Sequence, residues 1–457
     1  MRLAVWKRLA AAALAAFLCL AQAGCSFSVL DAQNLMSPPR ANLEQQGIYE
    51  LLQGDGQELT FVYPKRGEHR SAIIMRDWTG DGVEDAIGFV SPEGGGVEVS
   101  FLEKGESAWR IAASFSNTAT QVDMVLFGDL NGDGREDVLI GWGSASGTTG
   151  RTAAVDAYLF DGENVTEYLL GTYGEMTATD FDGDGVIEVF TVDKYLAAEE
   201  EGAEDLPALA HLFAWEEGAL QELASTAADN SLTNYTSIHF GALDRGLSGV
   251  VLDGAKADGS MTTQVFLLEE GTLRNIPSGA NAESYQNPYA RPSTAPFVSQ
   301  DINGDGLLEL PVVSQLPVLS QGVTLDSTSY LVQWSRFQAQ GEPEAVLYAL
   351  MDLGESYWLE LPESLVGKIS ASNDSARRTV TYTEVVTSED GVQLLGSPLF
   401  AIRVFTQSAW DSRGVTSGYE KLAVQGDLVY GIQVFTRDEA YLRAIGQIRQ
   451  GFHIIAE

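Results

Sequence analysis

One nine-residue phrase recurs along the chain and limits its fold more than any other feature. It reads Asp77-Trp-Thr-Gly-Asp-Gly-Val-Glu-Asp85, then Asp129-Leu-Asn-Gly-Asp-Gly-Arg-Glu-Asp137, Asp180-Phe-Asp-Gly-Asp-Gly-Val-Ile-Glu188 and Asp301-Ile-Asn-Gly-Asp-Gly-Leu-Leu-Glu309. A degenerate copy keeps Asp244 and Gly246 but has lost the remaining acids. The copies start at 77, 129, 180, 244 and 301, in steps of 52, 51, 64 and 57 residues. Apolar, strand-like runs flank each copy, and each interval holds two more, such as 97–102 with 109–115 and 154–160 with 165–170. Four short strands per repeat of about 50 residues are the pattern of a propeller blade. The expected fold is therefore mainly β: a β-propeller of five to six four-stranded blades over residues 42–353, with the run 59–63 available to complete a sixth.

From about residue 354 the repeat stops, and 354–457 reads as a small α+β domain. Strand-like runs at 357–361, 379–386, 399–405 and 428–435 precede a final helix. Thr436 and Glu439 match a capping box, and Ala440, Ile445, Ile448 and Phe452 give that helix an apolar face. Residues 42–53 carry a second, shorter helical pattern ahead of the first blade.

The phrase has the chemistry of a calcium loop. Calcium takes six to eight oxygens, which a short, sharply turned segment can supply from alternate positions. Positions one, three, five and nine offer side-chain oxygens, and position seven a backbone carbonyl. The first loop offers Asp77, Thr79, Asp81, the carbonyl of Val83, and Asp85; the second offers Asp129, Asn131, Asp133, the carbonyl of Arg135, and Asp137. The third offers Asp180, Asp182, Asp184, the carbonyl of Val186, and Glu188; the fourth offers Asp301, Asn303, Asp305, the carbonyl of Leu307, and Glu309. Glycine at position six (Gly82, Gly134, Gly185, Gly306) permits a positive φ. These positions bring thirteen carboxylates into four short segments, an arrangement whose mutual repulsion a cation would relieve. Up to four Ca²⁺ ions are expected. An EF-hand needs a glutamate at position twelve between two helices. Here that position is Gly88, Ile140, Thr191 or Val312, and the flanks are strands.

At these residues the chain resembles the FG-GAP or VCBS repeats of integrin α-subunit-like propellers, over about 280 residues. The resemblance implies metal loops between the first two strands of a blade, with a mainly structural role, and ligands meeting another face. The copy at Asp244 departs from the pattern at positions five and nine, which puts a fifth site in doubt.

Arg2, Lys7 and Arg8 precede an apolar run over 9–20 and the segment Ala21-Gln22-Ala23-Gly24-Cys25. A basic region, a dozen apolar residues and a small-residue site make residues 1–24 a secretory signal peptide. Ala23-Gly24-Cys25 resembles the lipobox of bacterial lipoproteins, with Gln22 where that family usually has Leu. The resemblance implies a lipidated Cys25, an exported protein held at the extracytoplasmic face of the cell membrane, and a tether over 25–41. Simple cleavage is the alternative. Cys19 lies in the leader, so Cys25 has no disulfide partner in the mature chain.

With 64 acidic against 27 basic residues and a net charge of −37, nucleic acid is excluded as a partner. His69, His211, His239 and His453 lack zinc spacing, and no Gly-x-Ser-x-Gly elbow is present. The Gly-rich stretch 141–147 and the acidic run 199–205 read as loops, and 278–296, with Tyr285 and Tyr289, as a candidate recognition loop. The resulting expectation is a non-enzymatic, surface-anchored binding or scaffolding protein for an extracellular protein or glycan. The alternatives are an extracellular polysaccharide-active hydrolase or lyase, and a purely structural envelope component.

Overall fold

A computed structural model describes residues 43–53, 60–106, 108–143, 153–198, 204–276, 287–316, 329–339 and 342–455. The leader, Cys25 and the tether lie outside the described residues, as do 144–147, 199–203 and 278–286. No described helix is long and apolar enough to cross a membrane.

The protein is a β-propeller whose five blades follow the five copies of the phrase. Blade I contains Ile73–Arg76, Asp85–Ser91, Val97–Lys104 and Trp109–Asn117; blade II contains Gln121–Gly128, Asp137–Gly143, Ala153–Phe160 and Val165–Tyr173. Blade III contains Glu175–Thr179, Glu188–Val192, Leu209–Glu216 and Ala219–Ala227; blade IV contains Leu232–Asp244, Leu247–Lys256, Met261–Glu269 and Thr272–Ile276. Each is an antiparallel meander in which sequence neighbours pair. The run available to complete a sixth blade instead joins blade I, where Thr60 and Phe61 pair with Ser91 and Val90.

Blade V departs from the plan. Its strands are Glu309–Gln315, Ser329–Arg336, Glu344–Asp352 and Tyr357–Glu360, all after the fourth loop. The run before that loop is reduced to one bridge, Gln300 to Glu309. Pro292 and Pro296 explain this, because a residue without an N–H cannot extend a ladder. The strand Phe452–Ile454 returns to pair with Tyr357–Glu360 and completes the sheet on its far edge. The run 357–361, expected in the C-terminal domain, thus belongs to the last blade.

A separate sheet follows, in the order Ile369–Asp374, Thr379–Thr387, Gln393–Thr406, Leu428–Val434, Glu420–Gln425. The helical segment 407–417, anchored by buried Trp410 against Phe405, carries the chain past one strand position and produces the crossover. Helix Glu439–Gln450 packs on this sheet through Ala444, Ile445 and Ile448. Its N-cap is Asp438, whose carboxylate accepts from the N–H groups of Ala440 and Tyr441. Thr436 sits two residues further out, accepting from Asp438 N, so the expected capping box is displaced.

Near-continuous burial along the inner strands gives each blade two apolar faces, and the blades pack face to face. Phe89, Val99, Trp142 and Tyr158 join blades I and II, and Leu139, Val155, Met176 and Val189 join II and III. Phe190, Leu212, Leu252 and Phe266 join III and IV, and Leu243, Val265, Tyr289, Leu310 and Phe337 join IV and V. Even the last of these clusters has seven buried side chains. At about 1.5–3 kcal/mol for each fully buried large side chain, packing outweighs any one cation in holding blades together. The outer face of blade I is covered by helix Leu43–Gln53 through Ile48 and Leu52, and that of blade V by the C-terminal sheet and its helix.

Candidate metal centres

All four complete phrases fold alike, each between the first and second runs of its blade. The first aspartate turns inward and ties the loop to itself. Asp77 Oδ1 accepts from Gly80 N at 2.8 Å and Oδ2 from Gly82 N at 2.9 Å. The corresponding bonds are 2.7 and 2.8 Å at Asp129, 2.7 and 3.0 Å at Asp180, and 2.7 and 2.9 Å at Asp301. The fifth-position carboxylate accepts from the seventh N–H: Asp81 from Val83, Asp133 from Arg135, Asp184 from Val186 and Asp305 from Leu307, at 2.7–2.9 Å. Asn131, Asp182 and Asn303 at position three accept from the fifth N–H. Glycines at both positions four and six have φ between +72° and +94°, where a Cβ would strain the turn. Only the second of these was expected from the sequence.

The ninth-position acids lie at the floor of each loop. Asp85 and Glu309 are 0% exposed, Asp137 2% and Glu188 5%. Leu130 N, Phe181 N and Ile302 N donate to Asp137, Glu188 and Glu309, while Asp85 accepts from Thr79 Oγ1 and Lys104 N. Glu309 Oε1 is buried with no hydrogen-bond partner. Burial pushes Asp137 and Glu188 up to about 7, and raises Asp85 and Glu309 as well. An unpaired oxygen on a fully buried carboxylate costs stability unless a cation or proton satisfies it. Hard oxygen donors on glycine-turned loops fit Ca²⁺. Three carboxylate oxygens converge to within 4.8 Å in two loops, at Asp77, Asp81, Asp85 and at Asp180, Asp182, Glu188. Loops two and four share the backbone pattern and carry acids at positions one, five and nine, but among the described residues their carboxylate oxygens do not converge as closely.

Position two also contributes, and sequence reasoning passed over it. Trp78, Leu130 and Phe181 are buried beneath their loops, and the Trp78 ring meets Phe101 of its own blade and Phe160 of the next at 5.4 and 5.0 Å. The signal was an apolar residue in every copy. The Asp244 copy is not a loop at all. Asp244 pairs with Leu247 around Arg245 and Gly246, a two-residue turn with Gly246 at φ +74°.

The raised acids set a pH dependence. A carboxylate whose folded value lies above its unfolded one stabilises the fold while protonated and loses that contribution as pH rises through the interval. For Asp137 and Glu188 the interval runs from ordinary carboxylate values of 3.8 and 4.5 to about 7. A bound cation would replace those protons. The expected result is a Ca²⁺-induced rise in melting temperature that is larger at pH 7.5 than at pH 5, with protons released on binding. An equal or smaller rise at pH 7.5 contradicts the assignment.

A second polar cluster lies at the opposite end of the inner strands. Arg66 bridges two blades, donating to Asp123 at 2.9 Å and pairing with Glu175. Tyr173 donates to the same Asp123 oxygen at 2.6 Å. Lys194 is half-buried with its ammonium 5.9 Å from the Tyr235 ring, and burial lowers its pKa. Tyr235 donates to the carbonyl of Asp193, whose carboxylate lies 3.4 Å from His211.

The four histidines serve separately. His69 stands edge-on to Phe127, His211 lies between Asp193 and Glu222, His239 sits in the first strand of blade IV, and His453 stacks on Trp358. The described part of the candidate recognition loop is a strut, with Tyr289 2% and Arg291 3% exposed. Arg291 forms a buried ion pair with Asp253 at 2.7 Å.

No family profile matches the chain, and no curated protein matches it in sequence. Among solved structures, it is similar to the six-bladed β-propeller fucose-recognising lectin of the fungus Aleuria aurantia, with 11% identity, 75% of this chain and 97% of that one covered, and a TM-score of 0.25. It is also similar to AofleA from Arthrobotrys oligospora, with 13% identity, 76% and 85% covered, and a TM-score of 0.27. A mannose phosphorylase from Leishmania mexicana has 10% identity, 70% and 87% covered, and a TM-score of 0.22.

Proposed function

We propose that this is a calcium-stabilised propeller, lipid-anchored through Cys25 outside the cell, that binds an extracellular protein or glycan. The observation that carries the calcium part is the buried ninth-position acid of each loop, above all Glu309 with one oxygen unpaired. A cation coordinated there would be a structural component, held in loops whose acids are already ordered by their own backbone. Asp77, Asp129, Asp180 and Asp301 with positions three, five and nine would hold it; the cation would supply charge neutralisation, and no chemical step is assigned to it.

The binding part is supported by the division of labour between the two ends of the blades. One end is taken up by the acidic loops. The other gathers Lys65, Arg66 and Lys194 with Asp123, Glu175 and Tyr235, cations concentrated in a chain of net charge −37. Mixed donors and acceptors at a half-buried rim suit a hydroxyl-rich or peptide ligand.

The test is a glycan and protein array probed with the Ca²⁺-loaded full chain, repeated with Lys194→Ala. A ligand whose binding falls about tenfold in the variant, as expected for loss of one charge-assisted hydrogen bond, supports the reading. Binding indifferent to Lys194 places the ligand elsewhere and overturns this surface. Release of shortened glycan products would favour the hydrolase or lyase alternative.

A further inference from the structure

The loops are not independent of one another. The seventh residue of loop two, Arg135, lies across loop one, its Cγ only 2.8 Å from where a Cβ on Gly80 would stand. Its guanidinium also meets Asp133 at 3.2 Å. The eighth residue, Glu136, grips Arg76, the residue just before loop one, with Nη2 donating to Oε1 at 2.6 Å. The same relation recurs one blade on. Val186 lies over Gly132, with Cγ2 3.0 Å from an ideal Cβ, and Ile187 covers Gly128 at the same separation. Ile187 N donates to the carbonyl of Asp129, the first ligand residue of loop two, at 2.8 Å. In both steps the seventh residue rests on the fourth-position glycine of the loop before it. In both, the eighth residue holds the point where that earlier loop begins.

The series stops at blade IV, where the two-residue turn at Arg245 and Gly246 offers neither a fourth-position glycine nor ligands. On blade IV, loop four meets the strand behind that turn, with Leu308 N donating to Ala242 O at 2.8 Å and the Leu308 side chain against Gly241. Among the described residues no acidic loop of blade IV stands beneath it.

We infer that loops one, two and three form a relay in which a cation bound at one favours binding at its neighbour, while loop four binds alone. This rests on the calcium reading above. A cation in loop three would fix Val186 at the ligand position whose side chain lies on Gly132, and with it Ile187, which holds Asp129. Part of the ordering that loop two needs is then already complete, and ordering shared between sites is positive cooperativity. The same argument carries from loop two to loop one through Arg135 and Glu136.

Calcium titration of the full chain, by calorimetry and by competition with a chromophoric chelator, separates the cases. The Asp180→Asn, Asp182→Asn double variant should lose one equivalent and weaken the remaining relay sites about fivefold or more, the lower end of common coupling strengths. The Asp301→Asn, Asp305→Asn variant should lose one equivalent and leave the other three affinities unchanged. Ile187→Ala removes no ligand; it should keep all equivalents and flatten the titration, and it carries the test if the acid variants do not fold. Unchanged relay affinities in the first double variant, or an unaltered titration in Ile187→Ala, overturn the relay while calcium binding stands. An unaltered chain that takes up no calcium overturns the calcium reading itself.

Discussion

Chelating calcium from the folded protein is expected to lower its melting temperature by about 10–20 °C, with full recovery when the metal is restored. A ligand present at tenfold its dissociation constant stabilises a site by about 1.4 kcal/mol. Four sites therefore contribute on the order of 6 kcal/mol, against a typical whole-protein margin of about 5–15 kcal/mol. The acids would not leave quietly. Asp85, Asp137, Glu188 and Glu309 are buried, so in the metal-free state each must take up a proton or stand as an uncompensated charge. Calorimetric scans with calcium, with chelator, and with magnesium in place of calcium decide the matter. A melt indifferent to chelator removes calcium from this protein's account, and magnesium equal to calcium removes the specificity.

Replacing Asp253 by Ala should be the most damaging single change away from the loops. Its side chain and that of Arg291 are both 0% exposed. Asp253 accepts from Arg291 Nη2, Thr263 Oγ1, Ser299 N and Ser299 Oγ. That network fastens residues 287–300 to blade IV, where the prolines prevent an ordinary first strand for blade V. Removing one partner of a buried pair costs about 3–5 kcal/mol, because the other charge is left without compensation. For a chain this large that corresponds to roughly 10 °C of melting temperature at about 2–4 °C per kcal/mol. The double variant Asp253→Leu, Arg291→Met should recover much of the loss. Denaturant or thermal melts that place Asp253→Ala within about 0.5 kcal/mol of the parent would show the pair to be dispensable, that threshold being the usual size of a surface effect.

Much of this architecture was readable because the repeats announce themselves. The repeated spacing of acids and glycines located the turn between the first two strands of blades I, II and III, and the apolar runs on either side of it located the strands. Three departures had local causes. Pro292 and Pro296 carried the warning that the fifth repeat would lack its first strand. The single short element at 59–63 had the right composition for a strand but only a partner's edge could decide which sheet it joined. Asp438 outcompeted Thr436 as cap because it stands directly before the first helical turn. The relay between loops was unreadable for another reason. It depends on Arg135 lying over Gly80 and Ile187 over Gly128, contacts between residues some fifty to sixty positions apart whose meeting depends on how adjacent sheets are set. Arg66, Asp123 and Glu175 come from three separate segments and share no sequence pattern at all.

The return of Phe452–Ile454 to the edge of Tyr357–Glu360 governs the order in which the molecule can be finished. A ribosome delivers the first four repeats with all their partners in hand, yet the fifth stays unfinished until residues 452–454 have emerged. Through that interval its outermost strand is an unsatisfied template for any passing β-segment, the kind of edge from which aggregation and strand exchange begin. Truncation ahead of Phe452 would make that vulnerable interval permanent.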